Sequence, residues 1–298
     1  MFNRAALPYL WMLGGSLAFA TMAALARALE GKCDWLVVAA CRTGFAMLFA
    51  VLLAKAARAR LVFWRPRSLW VRSLAGSVSL VCTFYALPRM HVSELMTLTN
   101  MFPLWVTLLS WPLYDEVPTP KTWLCLAAGL TGVALVQQPH FANGNFVSLV
   151  ALASSISTAV AMLGLHEVQG IDPRAIVAHF STVGLLACSL LFPWLASSEP
   201  TAGLDQPAVL FMLLGVGIAA TIGQMFLTKA FVAGPPAKVS VVGLAQVAFA
   251  VVYDRLLWGR TFAPLTVAGM ALVLAPTAWL MLRRETEDVS LASLGEEA

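Results

Sequence analysis

Charged residues are scarce in this chain of 298 residues, at 11%, whereas 60% of the residues are hydrophobic. A soluble domain of this size carries roughly 25% charged residues to cover its surface. The shortage therefore excludes a soluble enzyme, a disordered chain and a collagen-like fibre, and it indicates an integral membrane protein. The apolar runs are long and do not alternate with polar residues, which favours a helical protein over a β-barrel.

Motifs for redox, metal or nucleotide chemistry are also missing. The five cysteines form no CxxC pair, the four histidines have no metal-ligand spacing, and the phosphate-binding pattern GxxxxGK[ST] does not occur. We therefore expect no metal, no cofactor, no structural disulfide and no catalytic residues. The net charge of +4 reflects basic loops, so we expect no nucleic-acid partner.

What the sequence contains is a series of apolar runs, at about 20 residues for each crossing of a bilayer. They predict an all-α integral membrane protein with ten transmembrane helices. The predicted spans are 7–29, 35–54, 68–87, 92–113, 122–137, 146–168, 175–195, 208–230, 239–257 and 265–282. The first run resembles a signal peptide because Arg4 precedes it, but its length of about 23 residues favours an uncleaved first helix.

Basic residues are distributed unevenly over the predicted loops. With the N-terminus inside, twelve lie on the cytoplasmic side and five on the other, and the 55–67 loop alone carries five. The positive-inside rule therefore predicts a multi-pass protein with both termini in the cytoplasm. We expect it in the plasma (inner) membrane of a bacterium, with the lipid bilayer as a partner.

The two halves of the chain follow one plan. An offset of 144 aligns Ala86 with Ala230 and Glu116 with Arg260. Because five spans per half is an odd number, the second half must enter the membrane with opposite polarity. Inverted repeats of this kind build transporters, with the substrate site between the halves. We expect a first repeat at 1–140, a second at 141–284 and a disordered cytoplasmic tail at 285–298.

Short motifs in the first half carry a family resemblance. They are Tyr85-Ala86-Leu87, Ser93-Glu94-Leu95, Phe102-Pro103-Leu104 and Asp115-Glu116. This half resembles the first EamA-type domain of the drug/metabolite transporter superfamily, and Ala230 to Leu274 resembles the second. Within the superfamily the first half is similar to group G of the solute-carrier relatives and to bacterial permeases. One position departs from the family pattern, since Gly259-Arg260 stands where a Glu is usual after the ninth helix.

The resemblance implies ten helices in two inverted five-helix repeats. Helices one to four and six to nine would surround a central cavity, and helices five and ten would lie at the periphery and form the contact of a homodimer. Family members are secondary transporters of small metabolites, so a transporter with a small-molecule substrate is expected rather than an enzyme. An intramembrane enzyme and a non-transporting membrane scaffold stay as alternatives.

Polar residues inside the spans are candidates for substrate binding, because they are costly in a bilayer. Arg42 lies about seven residues into the second span, and it either recognises an anionic substrate group or pairs with Glu94. Arg72 also lies within a span. The other substrate-binding candidates, chosen from the faces of the predicted helices, are Trp11, Thr97, Asn100, Ser155, Gln224 and Gln246.

Three further residues are candidates for coupling or gating. Glu94 opens the fourth span, either as a proton-binding carboxylate or as a charge stabilised by the helix dipole. Pro103 lies inside the same span and permits a hinge or a static kink. His179 is favoured as a hydrogen-bonded core residue over a proton relay. Together the candidates predict alternating access for an anionic or zwitterionic metabolite, such as an organic acid or amino acid.

Overall fold

The computed structural model describes most of the chain, and every structural statement below concerns the described residues. They are 6–87, 89, 95, 98–114, 117, 119–137, 146–168, 170–195, 205–259, 261, 263–265, 267–269, 271, 272 and 275. The predicted tail at 285–298 and most of the predicted tenth span lie outside them.

The described residues form helices and no strand. The helices are α1 (Leu7–Ala28), α2 (Trp35–Ala56), α3 (Arg67–Ala86), α4 (Phe102–Tyr114), α5 (Pro120–Gln137), α6 (Phe146–His166), α7 (Pro173–Leu195), α8 (Pro207–Ala233), α9 (Pro236–Gly243) and α10 (Ala245–Trp258). Seven stretches are long and apolar enough to cross a membrane, and shorter apolar helices lie at Phe102–Leu113 and Trp123–Gly132. A helix satisfies its backbone polar groups internally, as the bilayer interior requires. The chain is an all-α integral membrane protein.

The ends of several helices carry recognisable local signals. The Asp34 carboxylate accepts a hydrogen bond from the Leu36 amide at 2.7 Å and caps the start of α2. Helices α1, α8 and α9 have proline in the first turn, where the missing amide costs nothing. Gly259, with a φ of 64°, ends α10 in the left-handed conformation that glycine adopts readily.

The main helix contacts join the two halves of the chain. Helix α1 packs along α8, α3 along α6, α2 along α7, and α4 along α9. Small residues allow the closest approaches, since a Cβ on Gly15 would lie 3.4 Å from the Gly223 carbonyl oxygen across the α1–α8 contact. Tyr9 and Phe231, both fully buried, belong to the large core cluster that this contact helps to form.

Two tightened turns interrupt helices at matching places. The amides of Met101 and Leu104 donate to carbonyls three residues earlier, and those of Leu244 and Val247 do the same, 143 residues further along, all at 3.0–3.2 Å. The predicted fourth and ninth spans are therefore not continuous α-helices: α4 begins only at Phe102, and α9 and α10 meet at Leu244. Such i→i−3 turns are common at hinges and functional sites.

Candidate functional site

A cavity of about 180 Å³ lies among α1, α2, α3, α4, α6, α7, α8 and α10. Its apolar wall includes Phe19, Phe84 and Phe180. Its charged lining consists of Arg42 and Arg72, and no aspartate, glutamate or lysine occurs among the lining residues that the structure describes. The cavity is therefore basic and partly aromatic.

A second void of about 250 Å³, here called the mouth, adjoins the cavity at one end of the bundle. The two share Ala26, Phe84 and Leu87 in their linings. The mouth is bounded by the end of α1, the start of α2 and the end of α3, and its lining includes charged residues of both signs, among them Arg27 and Asp34. The cavity and the mouth therefore adjoin at the end of the bundle where α2 begins.

Arg42 projects from the mouth-side half of α2 and is 6% exposed. Its Nε donates to the Met22 sulfur at 3.1 Å, and its guanidinium carbon lies 6.0 Å from the centroid of the Phe84 ring. Both neighbours offer only weak negative potential to a full positive charge. No carboxylate pairs with Arg42 within the described part of the chain.

Arg72 is 2% exposed and lies deeper, five residues after the first residue of α3, at the end remote from the mouth. Its Nη2 donates to the Gln224 Oε1 on α8 at 2.9 Å, and its guanidinium carbon lies 4.4 Å from the centroid of the Phe180 ring on α7. Its Nε is buried without a hydrogen-bond partner. Three helices therefore hold this guanidinium in place while leaving part of its donor capacity unused.

Hydroxyl groups cover the wall between α3 and α6. The Ser79 Oγ lies 2.6 Å from the Thr158 Oγ1 and 3.0 Å from the Ser154 Oγ, and the Thr83 Oγ1 lies 2.7 Å from the same Ser154 oxygen. Ser79, Thr83 and Thr158 also line the cavity. Because a hydroxyl can donate and accept, this wall suits neutral polar groups of a ligand.

The end of the bundle opposite the mouth is packed with aromatic side chains. The His179 Nδ1 lies 2.7 Å from the Ser73 Oγ, and its Nε2 lies 3.1 Å from the carbonyl oxygen of Phe63 in the loop between α2 and α3. The Trp70 ring meets the imidazole edge-on at 4.8 Å between centroids. These contacts fill the region where α2 ends and α3 begins.

Comparisons with known proteins show the family to which this chain belongs. The sequence profile of the EamA-like transporter family matches residues 6–137 and 145–282. The chain belongs to this family. The resemblance found in the sequence is thereby confirmed.

Named relatives of this EamA-like protein are transporters. The pseudopaline exporter CntI of Pseudomonas aeruginosa (strain UCBPP-PA14) is 26% identical over 87% of this chain and 90% of the exporter. The riboflavin transporter of Rhizobium johnstonii is 27% identical over 95% and 94%, and solute carrier family 35 member G1 of Homo sapiens is 23% identical over 72% and 62%. A solved crystal structure, 18% identical, covers 93% of this chain and 98% of its own with a TM-score of 0.79, which supports the fold alone.

Several residues predicted for substrate binding meet in the cavity of this EamA-like protein. Arg42, Asn100, Gln224 and Gln246 all contribute to its lining. Asn100 is 3% exposed and Gln224 is 7% exposed. The tightened turns at Met101 and Leu244 stand next to two of these residues and bring Asn100 and Gln246 to the cavity.

Other predicted binding residues lie elsewhere or outside the described part. The Ser155 Oγ accepts from the Trp105 Nε1 at 3.0 Å and donates to the Leu152 carbonyl, away from the cavity lining. The Trp11 ring lies 5.7 Å from the Lys229 ammonium, again outside the lining. Thr97 lies outside the described residues.

The three coupling or gating candidates also differ in placement. His179 is 2% exposed, has both ring nitrogens in hydrogen bonds, and does not line the cavity. Pro103 is the second residue of α4, so its missing amide removes no helical hydrogen bond there, and it lies inside the turn that the Leu104 amide closes onto the Met101 carbonyl. Glu94 lies outside the described residues.

Arg72 is the largest omission among the residues predicted from the sequence. A single arginine in the apolar run of the third span is a visible signal, but its position near the predicted end also suits an interfacial anchor. On α1 the predicted binding residue was Trp11, whose ring lies beside Lys229, whereas Met12, Phe19 and Met22 of the same helix line the cavity. A helical period shows which residues share a face and leaves open where that face points.

Proposed function

We propose that the protein is a secondary transporter that moves a small anionic or zwitterionic organic metabolite, such as an organic acid or amino acid, by alternating access. The observation that carries the proposal is Arg42, a buried guanidinium in the lining of a cavity, without a carboxylate partner among the described residues. A substrate carboxylate would supply the missing charge and accept two parallel hydrogen bonds from the guanidinium. Binding would then neutralise the charge of Arg42 and fix the orientation of the substrate.

Alternating access rests on the inferred inverted repeats. Exchanging α1 with α6, α2 with α7 and α3 with α8 turns the α1–α8 contact into the α3–α6 contact and leaves the α2–α7 contact unchanged. The paired turns at Met101 and Leu244 follow the same relation. Two halves with this symmetry can exchange conformations, which opens the central site to one face at a time. We propose that the two halves are 1–140 and 141–284 and that together they have ten transmembrane spans, of which the ninth consists of α9 and α10.

The orientation follows from the basic loops. With both termini in the cytoplasm of a bacterial cell and the chain in the plasma membrane, the mouth opens outward and the packed Phe63–His179 end faces the cytoplasm. A cysteine introduced by Arg58→Cys, in a protein without its native cysteines, should react with a membrane-impermeant maleimide only after the membrane is permeabilised. Labelling of that cysteine in intact cells would overturn the orientation.

Cys33 offers an internal comparison for this labelling experiment, because it lines the mouth on the opposite side. The pKa of the Cys33 thiol is raised to about 11, mainly by burial and secondly by the nearby Cys41. It should therefore label slowly near neutral pH and faster as the pH rises, because maleimides react with the thiolate. Restoring Cys33 alone should give labelling in intact cells.

The names of the relatives limit the proposed substrate only to the class of small organic compounds. One relative is a pseudopaline exporter and another is a riboflavin transporter, and they differ from each other in the compound that is named. We also propose a homodimer through the predicted fifth and tenth spans, at 122–137 and 265–282. The exposed Leu124 on α5, at 71%, is compatible with a contact to another apolar surface there.

The test of function is transport by the purified protein in proteoliposomes. Wild-type protein should exchange an internal organic acid or amino acid for labelled external substrate, and Arg42→Lys should weaken exchange because a point charge replaces the planar fork. Arg174→Gln is the matched control, since Arg174 lies outside the cavity and pairs with Asp172 at 3.3 Å. Undiminished exchange by Arg42→Gln would reject the role of Arg42, and absence of flux for the whole panel would favour a scaffold or an enzyme.

A further inference from the structure

The cavity contains one more positive charge than recognition of a single anion needs. Arg42 and Arg72 both line it, and both are more than nine-tenths buried. At about 1.5 Å per helical residue, Arg72 lies roughly 10 Å further from the mouth than Arg42 at the level of the backbone. One cation therefore stands on the way into the cavity and the other at its deep end.

The protein itself supplies no full negative charge to either cation within the described residues. Arg42 has a thioether and the Phe84 ring, and Arg72 has the Gln224 amide oxygen and the Phe180 ring. These groups offset only part of the cost of a guanidinium in the membrane interior. The two guanidinium groups also repel each other, which makes the empty cavity less favourable still.

Arg72 is nevertheless held in a defined pose. The Gln224 Oε1 fixes one end of the guanidinium at 2.9 Å, the Phe180 ring supports its face, and Gly76 provides the space that its Nη1 occupies. The buried Nε remains without a partner. A guanidinium that lines the cavity with its plane already fixed needs little rearrangement to receive a planar oxyanion.

We propose that the cavity binds a small molecule that carries two negative charges, with Arg42 contacting one and Arg72 the other, and this assignment rests on the proposed transport function. The neutral amide of Gln246 and the hydroxyls of Ser79 and Thr158 receive the uncharged polar groups of the same molecule. A dicarboxylate brings the two charges on separate groups, and a phosphate monoester brings them on one. The net charge of the loaded cavity is then close to zero.

The test measures ligand-induced stabilisation of the purified full-length protein in detergent. The probes are malonate, succinate, glutarate and adipate, each compared with its own monoamide, which has the same length and one charge fewer. Glycerol phosphate and inorganic phosphate form a second arm. We expect at least one dicarboxylate or phosphate probe to bind at least tenfold more tightly than singly charged probes, seen as a rise in Tm at tenfold lower concentration.

Variants assign the two charges. Arg42→Gln and Arg72→Gln should each remove the tenfold preference for the dicarboxylate over its monoamide, and Arg174→Gln should keep it. Gly76→Ala keeps both charges but puts a methyl group where the Arg72 Nη1 and the Phe180 ring lie, so it should weaken doubly charged probes more than singly charged ones. If Arg72→Gln does not fold, Gly76→Ala provides the same distinction.

The outcomes separate this proposal from the proposed function. Equal binding of a dicarboxylate and its monoamide, with both lost in Arg42→Gln, would overturn the second anion contact while leaving transport of a singly charged metabolite intact. Failure of every doubly charged probe to bind would also overturn it. Tight binding of a doubly charged probe without any flux in proteoliposomes would uphold the binding site and reject transport.

Discussion

Two arginine environments in this protein differ in how the charge is balanced. At the mouth, the Arg27 Nη1 lies 3.0 Å from the Asp254 Oδ1 and its guanidinium carbon lies 4.6 Å from the centroid of the Trp258 ring. The two side chains remain 25% and 20% exposed. In the cavity, Arg42 and Arg72 are almost fully buried and no described carboxylate accompanies them.

The contrast is opposite to what stability alone would favour. Water at the mouth would lower the cost of leaving Arg27 unpaired, and yet that is where a carboxylate is provided. The deep sites, where an unpaired charge costs most, have none among the described residues. We infer that the Arg27–Asp254 pair holds α1 against α10. We also infer that the charges of Arg42 and Arg72 are balanced by a substrate that binds and dissociates.

The largest expected effect comes from removing the deep charge. Arg72→Met should reduce transport by about 100-fold, in line with roughly 3 kcal/mol for a buried charge that loses its partner. The same change should raise the Tm of the empty protein by a few degrees, because an apolar residue replaces a buried cation that has no carboxylate partner among the described residues. Transport in proteoliposomes and thermal unfolding of the same preparations would measure both.

A fall in Tm together with the loss of transport would give Arg72 a structural role instead. Such a result would remove the difference between the two environments, since both arginines would then stabilise the fold. Arg72→Lys separates charge from shape, because the ammonium keeps the charge without the planar fork. We expect it to restore less than a tenth of wild-type transport.

The next effect in size comes from crowding Arg72 without changing any charge. A Cβ on Gly76 would lie 2.8 Å from the Phe180 Cε2 and would also collide with the Arg72 Nη1. Gly76→Ala should therefore weaken substrate affinity about tenfold, or about 1.4 kcal/mol, by displacing the guanidinium. Its matched control is Gly44→Ala on α2, where the nearest atom is the Leu185 Cδ1 at 3.9 Å.

Affinity, measured as the substrate concentration for half-maximal uptake, distinguishes the two alanine variants. Equal affinity in both would mean that the Arg72 pose is not part of substrate recognition. Loss of folded protein in Gly76→Ala alone would show that the α3–α7 contact cannot adjust. In that case, Phe180→Leu would remove the contact with the ring and give the Arg72 side chain room to move away from the new methyl group, and it should return the protein to the folded state.

The helices were largely predictable from the sequence, and the reason is physical. A bilayer demands about 20 apolar residues per crossing. The predicted limits of the spans other than the fourth, ninth and tenth agree with the observed helices within three residues, and the ninth span corresponds to α9 and α10 together. The tightened turns at Met101 and Leu244 were predictable only in part, because Pro103 lies inside the first turn and signals a break there, whereas the second turn contains no proline.

The cavity was predictable only in part. Arg42, Gln224 and Gln246 stood out because polar groups are rare in apolar runs, and all three line the cavity. Ser155 shares a helix with the lining residue Thr158, but its hydroxyl faces Trp105 instead. Which face of a helix points into the cavity depends on contacts between the two halves of the chain. The sequence of a single span does not specify those contacts.

The smallest expected effect concerns the mouth pair. Arg27→Gln should lower the Tm by about 2–4 °C, which corresponds to roughly 1 kcal/mol for a partly exposed ion pair supported by an aromatic ring. Asp254→Asn and the double variant complete a double-mutant cycle that isolates the interaction between the two side chains. The Thr21 Oγ1, 2.6 Å from the Tyr253 hydroxyl, joins the same two helices and should limit the loss.

The control for the mouth pair is Arg174→Gln. Arg174 and Asp172 are separated by one residue and are 38% and 32% exposed, so their ion pair connects no distant elements and its removal should change the Tm by less than 1 °C. Transport by Arg27→Gln should stay within about threefold of wild type, because its charge has a permanent partner and no role in holding substrate. A loss of transport as large as that of Arg72→Met would show that Arg27, like Arg42 and Arg72, contributes to substrate binding. The mouth would then be part of the substrate path.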